Sequence, residues 1–257
     1  MTLFADRAGA VGRLSQDRLV GIAQNYLPGH TFSPDYLYGK IIAAEAHAEH
    51  ALRCYLEPVE IFPEGTPQAD IDAWVVANPG KRYEEEPGYD WDPEFFRGNQ
   101  WGFFEVRHRP IIAITSVRFM YPSTDQSLYE FPVEWVRMDK KYGHVRIVPT
   151  GNATSLPLNA WLLSVYGGGR MVPHMLRIRY TSGLRNAIAD YPDLIDAIYQ
   201  GAAIGVLEDA QLPSSGSISA DGLSQSISVD ASRLREAVEA KLNDLRRSIH
   251  GVSMAFL

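Results

Sequence analysis

The chain reads Leu176-Arg-Ile-Arg-Tyr-Thr-Ser-Gly183 and, after a short connection, Tyr191-Pro-Asp-Leu-Ile-Asp-Ala-Ile198. In the first stretch apolar residues alternate with arginines, which is the period of a strand with one buried and one solvated face. In the second stretch Pro192 suits the first position of a helix, and the apolar residues then recur at helical spacing. The chain therefore passes from sheet to helix between these two stretches.

A series of strand-like runs leads up to this point, between residues 101 and 180. They are rich in aromatic and β-branched residues and are separated by turn signals. The runs cover residues 103–109, 114–121, 133–138, 145–148 and 175–180. The stretch Lys140-Lys-Tyr-Gly143 is typical of a hairpin tip between two of them. This pattern predicts an antiparallel sheet with one buried face and one solvated face.

A long helix is predicted near the amino end, over residues 33–56. Ser33 is a good N-cap, Pro34 suits the first helical position, and an apolar stripe follows at helical spacing. The stripe consists of Leu37, Ile41, Ala44, Ala48 and Leu52. Residues 63–98 then combine prolines with clustered carboxylates that repel one another, so we interpret this segment as an extended surface excursion.

The last helix carries an apolar stripe on one side and charged residues on the other. Asp230 or Ser232 is predicted to cap its start, and Gly251 is predicted to end it. An apolar tail, residues 252–257, follows. The pattern leaves two interpretations open, because the stripe and the tail could pack within their own chain or dock on a neighbouring subunit. The stripe consists of Leu234, Val238, Leu242, Leu245 and Ile249.

The order of elements is therefore helices, sheet, helices. Neither helical end carries enough apolar stripes to enclose a core alone, so we expect the two ends to form one domain that β structure interrupts. We predict an α+β fold with a helical-bundle core formed by both chain ends and an inserted antiparallel β-rich domain. The predicted divisions are residues 1–62 for the N-terminal helical part, 63–173 for the insertion with its acidic, proline-rich loop, and 174–257 for the C-terminal helical part.

Composition narrows the classes of function. The 257 residues carry a formal charge of −7 and no cluster of Lys and Arg, which argues against a protein that captures nucleic acid by neutralising phosphates. Cys54 is the single cysteine, which excludes an intrachain disulfide. The sequence shows no secretory signal and no apolar run that could span a bilayer, so we expect expression inside a cell and no membrane contact.

Candidate metal and phosphate sites are weak. The long helix carries two carboxylates and two imidazoles, but their spacing matches neither His-Glu-x-x-His nor Glu-x-x-His. These residues are Glu45, His47, Glu49 and His50. Gly167, Gly168, Gly169 and Arg170 lack the preceding strand, the following helix and the lysine of a phosphate cradle. We therefore predict no metal and no cofactor.

Candidate nucleophiles are equally weak. Ser215 lies in a serine-rich, linker-like segment, and the Gly-x-Ser-x-Gly pattern of a nucleophile elbow is absent. Cys54 has no neighbouring base in sequence and lies on a helix whose small residues indicate burial. We therefore predict no catalytic residues and no enzyme.

The two stretches quoted first, together with Ser219-Ala-Asp-Gly-Leu-Ser-Gln-Ser226 before the final helix, resemble head-tail connector (adaptor) proteins of tailed bacteriophages. The helix that begins at Ser33 is similar to the N-terminal helix of that family. The resemblance covers the two chain ends, somewhat under half of the chain. The middle departs from it, because family members are often compact helical bundles without a large β insertion.

The resemblance implies a structural virion protein. Such proteins form a ring of identical subunits, a dodecamer, that joins the portal of the head to the tail and lets DNA pass without sequence-specific binding. The implied partners are the portal protein, a tail-side neck or tail-completion protein and other copies of the chain. The implied location is the virion neck, with the host cytoplasm during assembly. A portal-docking arm is implied at Leu234, Val238, Leu242, Leu245, Ile249, Met254, Phe256 and Leu257.

Two other classes of function remain as hypotheses. The first is a tail- or baseplate-associated module that binds a host-surface glycan through the β insertion, since aromatic faces stack on sugars. Its candidate residues are Trp91, Trp101, Trp135 and Trp161. The second is a hydrolase that uses scattered carboxylates such as Glu105 and Glu134, although no spacing supports it.

Overall fold

A computed structural model describes residues 2–26, 31–92, 103–120, 127–148, 171–210, 216–220, 223–227 and 230–251. The chain divides into two compact units. The helical unit comprises Thr2–Arg53 and Asn186–Ser248, and the β unit comprises Cys54–Arg185 with the residues from Ile249 onward. Helices and mixed sheets are both present, so the α+β class is confirmed.

The described helices are α1 (Arg7–Ser15), α2 (Arg18–Tyr26), α3 (Pro34–Leu52), α4 (Gln68–Ala77), α5 (Ala187–Asp190), α6 (Pro192–Asp209) and α7 (Ala231–His250), with a short 3₁₀ helix at Val133–Trp135. The described strands are β1 (Val59–Pro63), β2 (Arg82–Glu86), β3 (Tyr89–Trp91), β4 (Phe104–Glu105), β5 (Ile111–Met120), β6 (Ser127–Phe131), β7 (Val136–Asp139), β8 (His144–Ile147), β9 (Val172–Ser182), β10 (Gly216–Ala220) and β11 (Leu223–Ile227).

The boundaries of the insertion differ from the predicted 63–173. Strand β1 pairs antiparallel with β9, with Val59 opposite Ser182 and Ile61 opposite Tyr180. Because paired strands share backbone hydrogen bonds, both belong to the β unit, which therefore begins before residue 63 and ends after residue 173. The predicted divisions assign most of β1 to the N-terminal helical part and most of β9 to the C-terminal helical part, although both strands belong to the larger sheet.

The helix starts follow the predicted capping chemistry. The Ser33 hydroxyl accepts a hydrogen bond from the Tyr36 N–H at 3.2 Å, and Pro34 occupies the first turn of α3. Pro192 stands at the same position of α6. At the start of α7 the Asp230 carboxylate accepts from the Arg233 N–H at 3.1 Å, so Asp230 is the cap. These caps satisfy backbone donors that a helix leaves unpaired in its first turn.

Two segments that were predicted as irregular contain regular structure. The expected surface excursion contains α4, β2 and β3 up to Asp92, and β2 lies parallel to β1. A parallel pair requires a crossover, and α4 supplies it, so the sheet is mixed and not purely antiparallel. The serine-rich segment forms an antiparallel pair, with Gly216 opposite Ile227 and Ala220 opposite Leu223.

The core of the β unit lies around β9. The larger sheet has the order β2-β1-β9-β5-β6, with β3 also paired to β9, and a smaller sheet has the order β4-β8-β7. Residues 140–143 join β7 to β8, which confirms the predicted hairpin tip. Ile61, Val117 and Tyr180 are completely buried in one cluster of apolar side chains from both sheets.

Candidate functional site

The apolar side of α7 packs against α3 and α6 within the helical unit. Val238 and Leu242 are buried, and Leu242 is only 2% exposed. One ion pair fastens α7 to α3, where His47 Nε2 lies 2.6 Å from Glu239 Oε1. A second ion pair joins Arg235 to Glu208 of α6. Arg235 and Glu239 lie one helical turn apart, so the two ion pairs are on the same side of the apolar stripe.

A cavity of about 460 Å³ remains where these three helices meet. Small side chains dominate the walls that α3 and α6 provide, and they are Ala43, Ala44, Ala48, Ala197, Gly201, Ala202 and Gly205. At the rim, Lys40 Nζ lies 2.6 Å from Asp209 Oδ2, and the Tyr36 hydroxyl donates to the same carboxylate at 2.8 Å. These hydrogen bonds from Lys40 and Tyr36 lower the pKa of Asp209.

The structure separates the predicted docking arm into three parts. Val238, Leu242 and Ile249 are buried, and Leu234 and Leu245 are half-buried. Packing within the chain, one of the two interpretations of the stripe, thus accounts for the helix. The remaining candidates, Met254, Phe256 and Leu257, lie outside the described residues. The stripe of α7 is consequently not a free apolar face.

Gly251 ends α7 with a left-handed conformation, as the sequence predicts. Its φ is +73°, and a Cβ placed there would lie 2.7 Å from Cε1 of Tyr142 in the hairpin tip. A side chain at this position would meet both backbone strain and the tyrosine ring. Gly251 and Tyr142 belong to the same unit, so the last described residue of the chain lies against the hairpin tip of the β unit.

The residues of the discounted metal cluster have other roles. Glu45 is buried, and its carboxylate accepts hydrogen bonds from the Leu3 N–H at 2.8 Å and from the Thr2 hydroxyl at 2.5 Å. His47 pairs with Glu239, while His50 is exposed. Among the described residues, no group of three or more His, Cys, Asp or Glu side chains could hold a metal ion.

Replacing Glu45 by alanine is expected to lower the free energy of unfolding by about 1–3 kcal/mol, because two hydrogen bonds to a buried carboxylate are lost. Urea unfolding measures this change, and hydrogen exchange at the Leu3 amide should accelerate. Glu236→Ala, at an exposed position of α7, is the control and should change stability by less than about 0.5 kcal/mol. Equal effects of the two substitutions would contradict the assigned role of Glu45.

The other chemical candidates form no reactive site in the described structure. Cys54 is buried, as predicted, but it follows the end of α3 and does not lie on the helix. Residues 167–170 and Ser215 lie outside the described residues. Glu105 is exposed and pairs with Arg109 at 2.7 Å, and Glu134 is exposed on the 3₁₀ helix. No arrangement of nucleophile, base and orienting group is present among these described candidates.

The described tryptophan candidates for glycan stacking do not present open faces. Trp135 is buried in the core of the β unit. Trp91 packs partly buried against the same core, with its ring 4.4 Å from that of Phe119 in an edge-to-face arrangement. Trp101 and Trp161 lie outside the described residues. Because a sugar stacks on an exposed aromatic face, the two described residues do not favour the glycan hypothesis.

The β unit contains a buried polar cluster that the sequence analysis did not predict. Glu86 is 4% exposed, and its Oε2 accepts a hydrogen bond from the Tyr180 hydroxyl at 3.2 Å. Arg107 Nη1 and His108 Nε2 lie 3.7 and 3.9 Å from the same oxygen. Glu86 Oε1 is also buried, and no hydrogen-bond partner for it is found in the described part of the chain. Three consecutive glutamates, residues 84–86, look solvated in sequence, so the pattern gave no signal that the last one is internal.

Burial controls the titration of this cluster. Desolvation raises the pKa of Glu86, although hydrogen bonds from tyrosine and the charge of Arg107 oppose it. Desolvation also lowers the pKa of His108. Both shifts disfavour charge inside the unit. The cluster links β2 to β9 and to the segment after β4, and we assign it a structural role.

A pH-dependent effect on stability is expected from Glu86→Gln. The carboxyl binds its proton more tightly in the folded chain, so its contribution to stability is full below the unfolded pKa and is lost as pH rises through the folded pKa. Glutamine does not titrate. The free energy of unfolding of the variant relative to the original chain should therefore be higher at pH 8 than at pH 4. Glu85→Gln, at the exposed neighbouring position, is the control, and a pH-independent difference for Glu86→Gln would contradict the assignment.

No helix in the described ranges is long and apolar enough to cross a membrane. A scan against models of protein families finds no match, and no curated protein matches the sequence.

Proposed function

We propose that this chain is a structural virion protein that forms a ring between the portal of a bacteriophage head and the tail, through which DNA passes. The observation that carries the proposal is the arrangement of the chain ends. Thr2–Arg53 and Asn186–Ser248 fold into one helical unit, as the order of the predicted elements indicates. The β unit is inserted in sequence between these two segments, and the last residues of α7, from Ile249, also belong to it.

The portal contact is proposed for the tail that follows Gly251. Val238, Leu242 and Ile249 are buried, so most of the helical stripe is not accessible to a portal while α7 is packed on its own chain. Residues 252–257 include Met254, Phe256 and Leu257, whose side chains are large and apolar. Because Gly251 lies on the β unit, this segment has less translational and rotational freedom to lose on binding than a free peptide would have.

The remaining partners follow from the same proposal. The ring consists of identical subunits, a dodecamer, and its other face contacts a tail-side neck or tail-completion protein. DNA passes without sequence-specific binding, and the net charge of −7 disfavours capture of its phosphates. The protein then resides in the virion neck after assembly in the host cytoplasm. It performs no catalysis.

The proposal predicts an assembly defect when the tail loses its large apolar side chains. In the phage that encodes the chain, the triple substitution Met254→Ala, Phe256→Ala and Leu257→Ala should give heads without attached tails and a loss of at least about 100-fold in infectious particles. Three large apolar contacts of about 1–2 kcal/mol each would account for that factor. Electron microscopy and plaque counts measure the two effects.

Ser253→Ala provides the matched control, since it changes the same segment without removing a large apolar group. Tailed, infectious particles are expected from this variant. Tailed particles at normal titre from the triple variant would contradict the proposed portal contact. Unfolding curves of both purified variants should match that of the original chain.

A further inference from the structure

The β unit exposes apolar side chains in two places, and each place carries an excess of one sign of charge. We propose that these two surfaces join neighbouring copies of this chain, so that the acidic surface of one copy docks on the basic surface of the next. The acidic surface consists of Asp72, Val75, Val76, Tyr83 and Glu85. The basic surface consists of Val133, Arg137, Met138, Lys140, Lys141 and Arg146. This inference rests on the proposed ring and names the contact that would build it.

The acidic surface is formed by α4 and β2. Val76 is 82% exposed, which is unusual for a β-branched apolar residue, and Asp72 lies one helical turn before it on the same face. Tyr83 is exposed and packs edge-on against Trp74, with ring centroids 6.2 Å apart. Glu85 lies two residues later on the same face of the strand. Exposed Lys81 lies two residues before Tyr83 on the same face, so the named surface carries two carboxylates and one neighbouring cation around its apolar side chains.

The basic surface is the ribbon of β7 and β8 with its turn. Arg137 and Arg146 are directly opposite each other in the ladder, and both are exposed. Like charges in opposite positions repel, so this pair costs stability in the isolated chain. Within the part of the chain that the structure describes, no carboxylate forms an ion pair with either guanidinium. Lys140 and Lys141 add two exposed cations at the tip.

The sheet order places these surfaces on opposite sides of the larger sheet. Strand β2 is one edge of that sheet and β6 is the other. From β6 the chain continues through Pro132 into the 3₁₀ helix and then into β7, so the basic surface follows the far edge. A contact between two different surfaces of identical subunits is head-to-tail, and such contacts form rings when the rotation between copies closes.

The chemistry of both surfaces favours a second copy over DNA. Val133 is 47% exposed on the 3₁₀ helix before β7, and Met138 is 37% exposed and lines one hollow together with Arg137 and Arg146. A phosphate backbone offers nothing apolar to cover them. Two exposed carboxylates, Glu134 and Asp139, also lie within the basic region and would repel phosphates. The acidic surface supplies both the apolar side chains and the opposite charge, and pairing each surface with itself would place like charges together.

Site-specific cross-linking tests the contact. Val76→Cys and Met138→Cys are prepared as single variants and as a double variant, each in the full chain, with and without added portal. A short bismaleimide should join the two single variants only when they are mixed, as a heterodimer. The double variant should give a ladder of dimers, trimers and larger species. The original chain, whose Cys54 is buried, controls for background reaction.

Three results would overturn the inference. The first is a homodimer from either single variant alone, and the second is absence of the heterodimer from the mixture. The third is binding of duplex DNA by the original chain, if the double substitution Arg137→Glu and Arg146→Glu abolishes that binding. Charge reversal tests the same contact by loss and rescue of cross-linking. The double Arg→Glu change should reduce the ladder at least about tenfold, and adding Asp72→Lys and Glu85→Lys to the same chain should restore it.

Portal association is measured on the same samples, which separates this inference from the proposed function. Cross-links without portal association would contradict the proposed function and leave the contact between copies supported. Portal association without cross-links would contradict the contact alone.

Discussion

Replacing Gly183 by alanine is expected to unfold the β unit, with a loss of more than about 4 kcal/mol in the free energy of unfolding. Gly183 has a φ of +116°, which side chains rarely adopt. A Cβ there would lie 2.3 Å from the Glu57 carbonyl oxygen and 3.0 Å from that of Tyr55. Both neighbours are backbone atoms that cannot rotate away, so strain and overlap act together.

The measurement is urea unfolding followed by circular dichroism, because a small domain is stabilised by only about 5–15 kcal/mol and a loss of this size is readily seen. Gly39→Ala is the matched control. Gly39 lies within α3 with open space around the added methyl group, so the same chemical change should stabilise the chain by about 0.5–1 kcal/mol. A stability of Gly183→Ala within about 1 kcal/mol of the original chain would contradict the described turn.

The second large effect is expected from Leu242→Ala in α7. Leu242 is buried beside the cavity at the junction of α3, α6 and α7, and the substitution enlarges that cavity. Lost transfer free energy and the added empty volume should together cost about 2–4 kcal/mol. Limited proteolysis within α7 should accelerate in parallel, because this side chain holds the helix against its neighbours.

Leu234→Ala supplies the comparison, since Leu234 belongs to the same stripe but is half-buried. Its expected cost is about 1 kcal/mol, in proportion to the smaller apolar area removed from water. Equal and small costs at both positions would mean that α7 is not docked on its own chain in solution. In that case the whole apolar stripe of α7 would be available for docking on the portal.

Local sequence chemistry predicted the parts of the fold that depend on neighbouring residues. Ser33, Pro34 and Asp230 start their helices as expected, and residues 140–143 form the expected hairpin tip. In each case the side chain or turn acts on backbone within a few residues. These features therefore do not require knowledge of the rest of the fold.

Features that depend on distant partners were missed. The parallel pairing of β1 with β2 lies in a segment rich in proline and glutamate, which sequence reasoning interpreted as a surface excursion. The internal position of Glu86 depends on Tyr180 and Arg107, and nothing in the run of residues 84–86 distinguishes it from its exposed neighbour. Periodicity also identified the apolar stripe of α7. It did not identify α3 and α6 as the surface that covers the stripe, because a stripe indicates burial but not the partner.

The most direct test of the proposed function is the native mass of the assembly that the full chain forms with its portal. We predict a portal complex that carries one ring, with an added mass equal to twelve copies of the chain. The same chain shortened after Gly251 should leave the portal at its own mass. Unassociated monomer beside unchanged portal, for the full chain under conditions in which the portal is intact, would contradict the account.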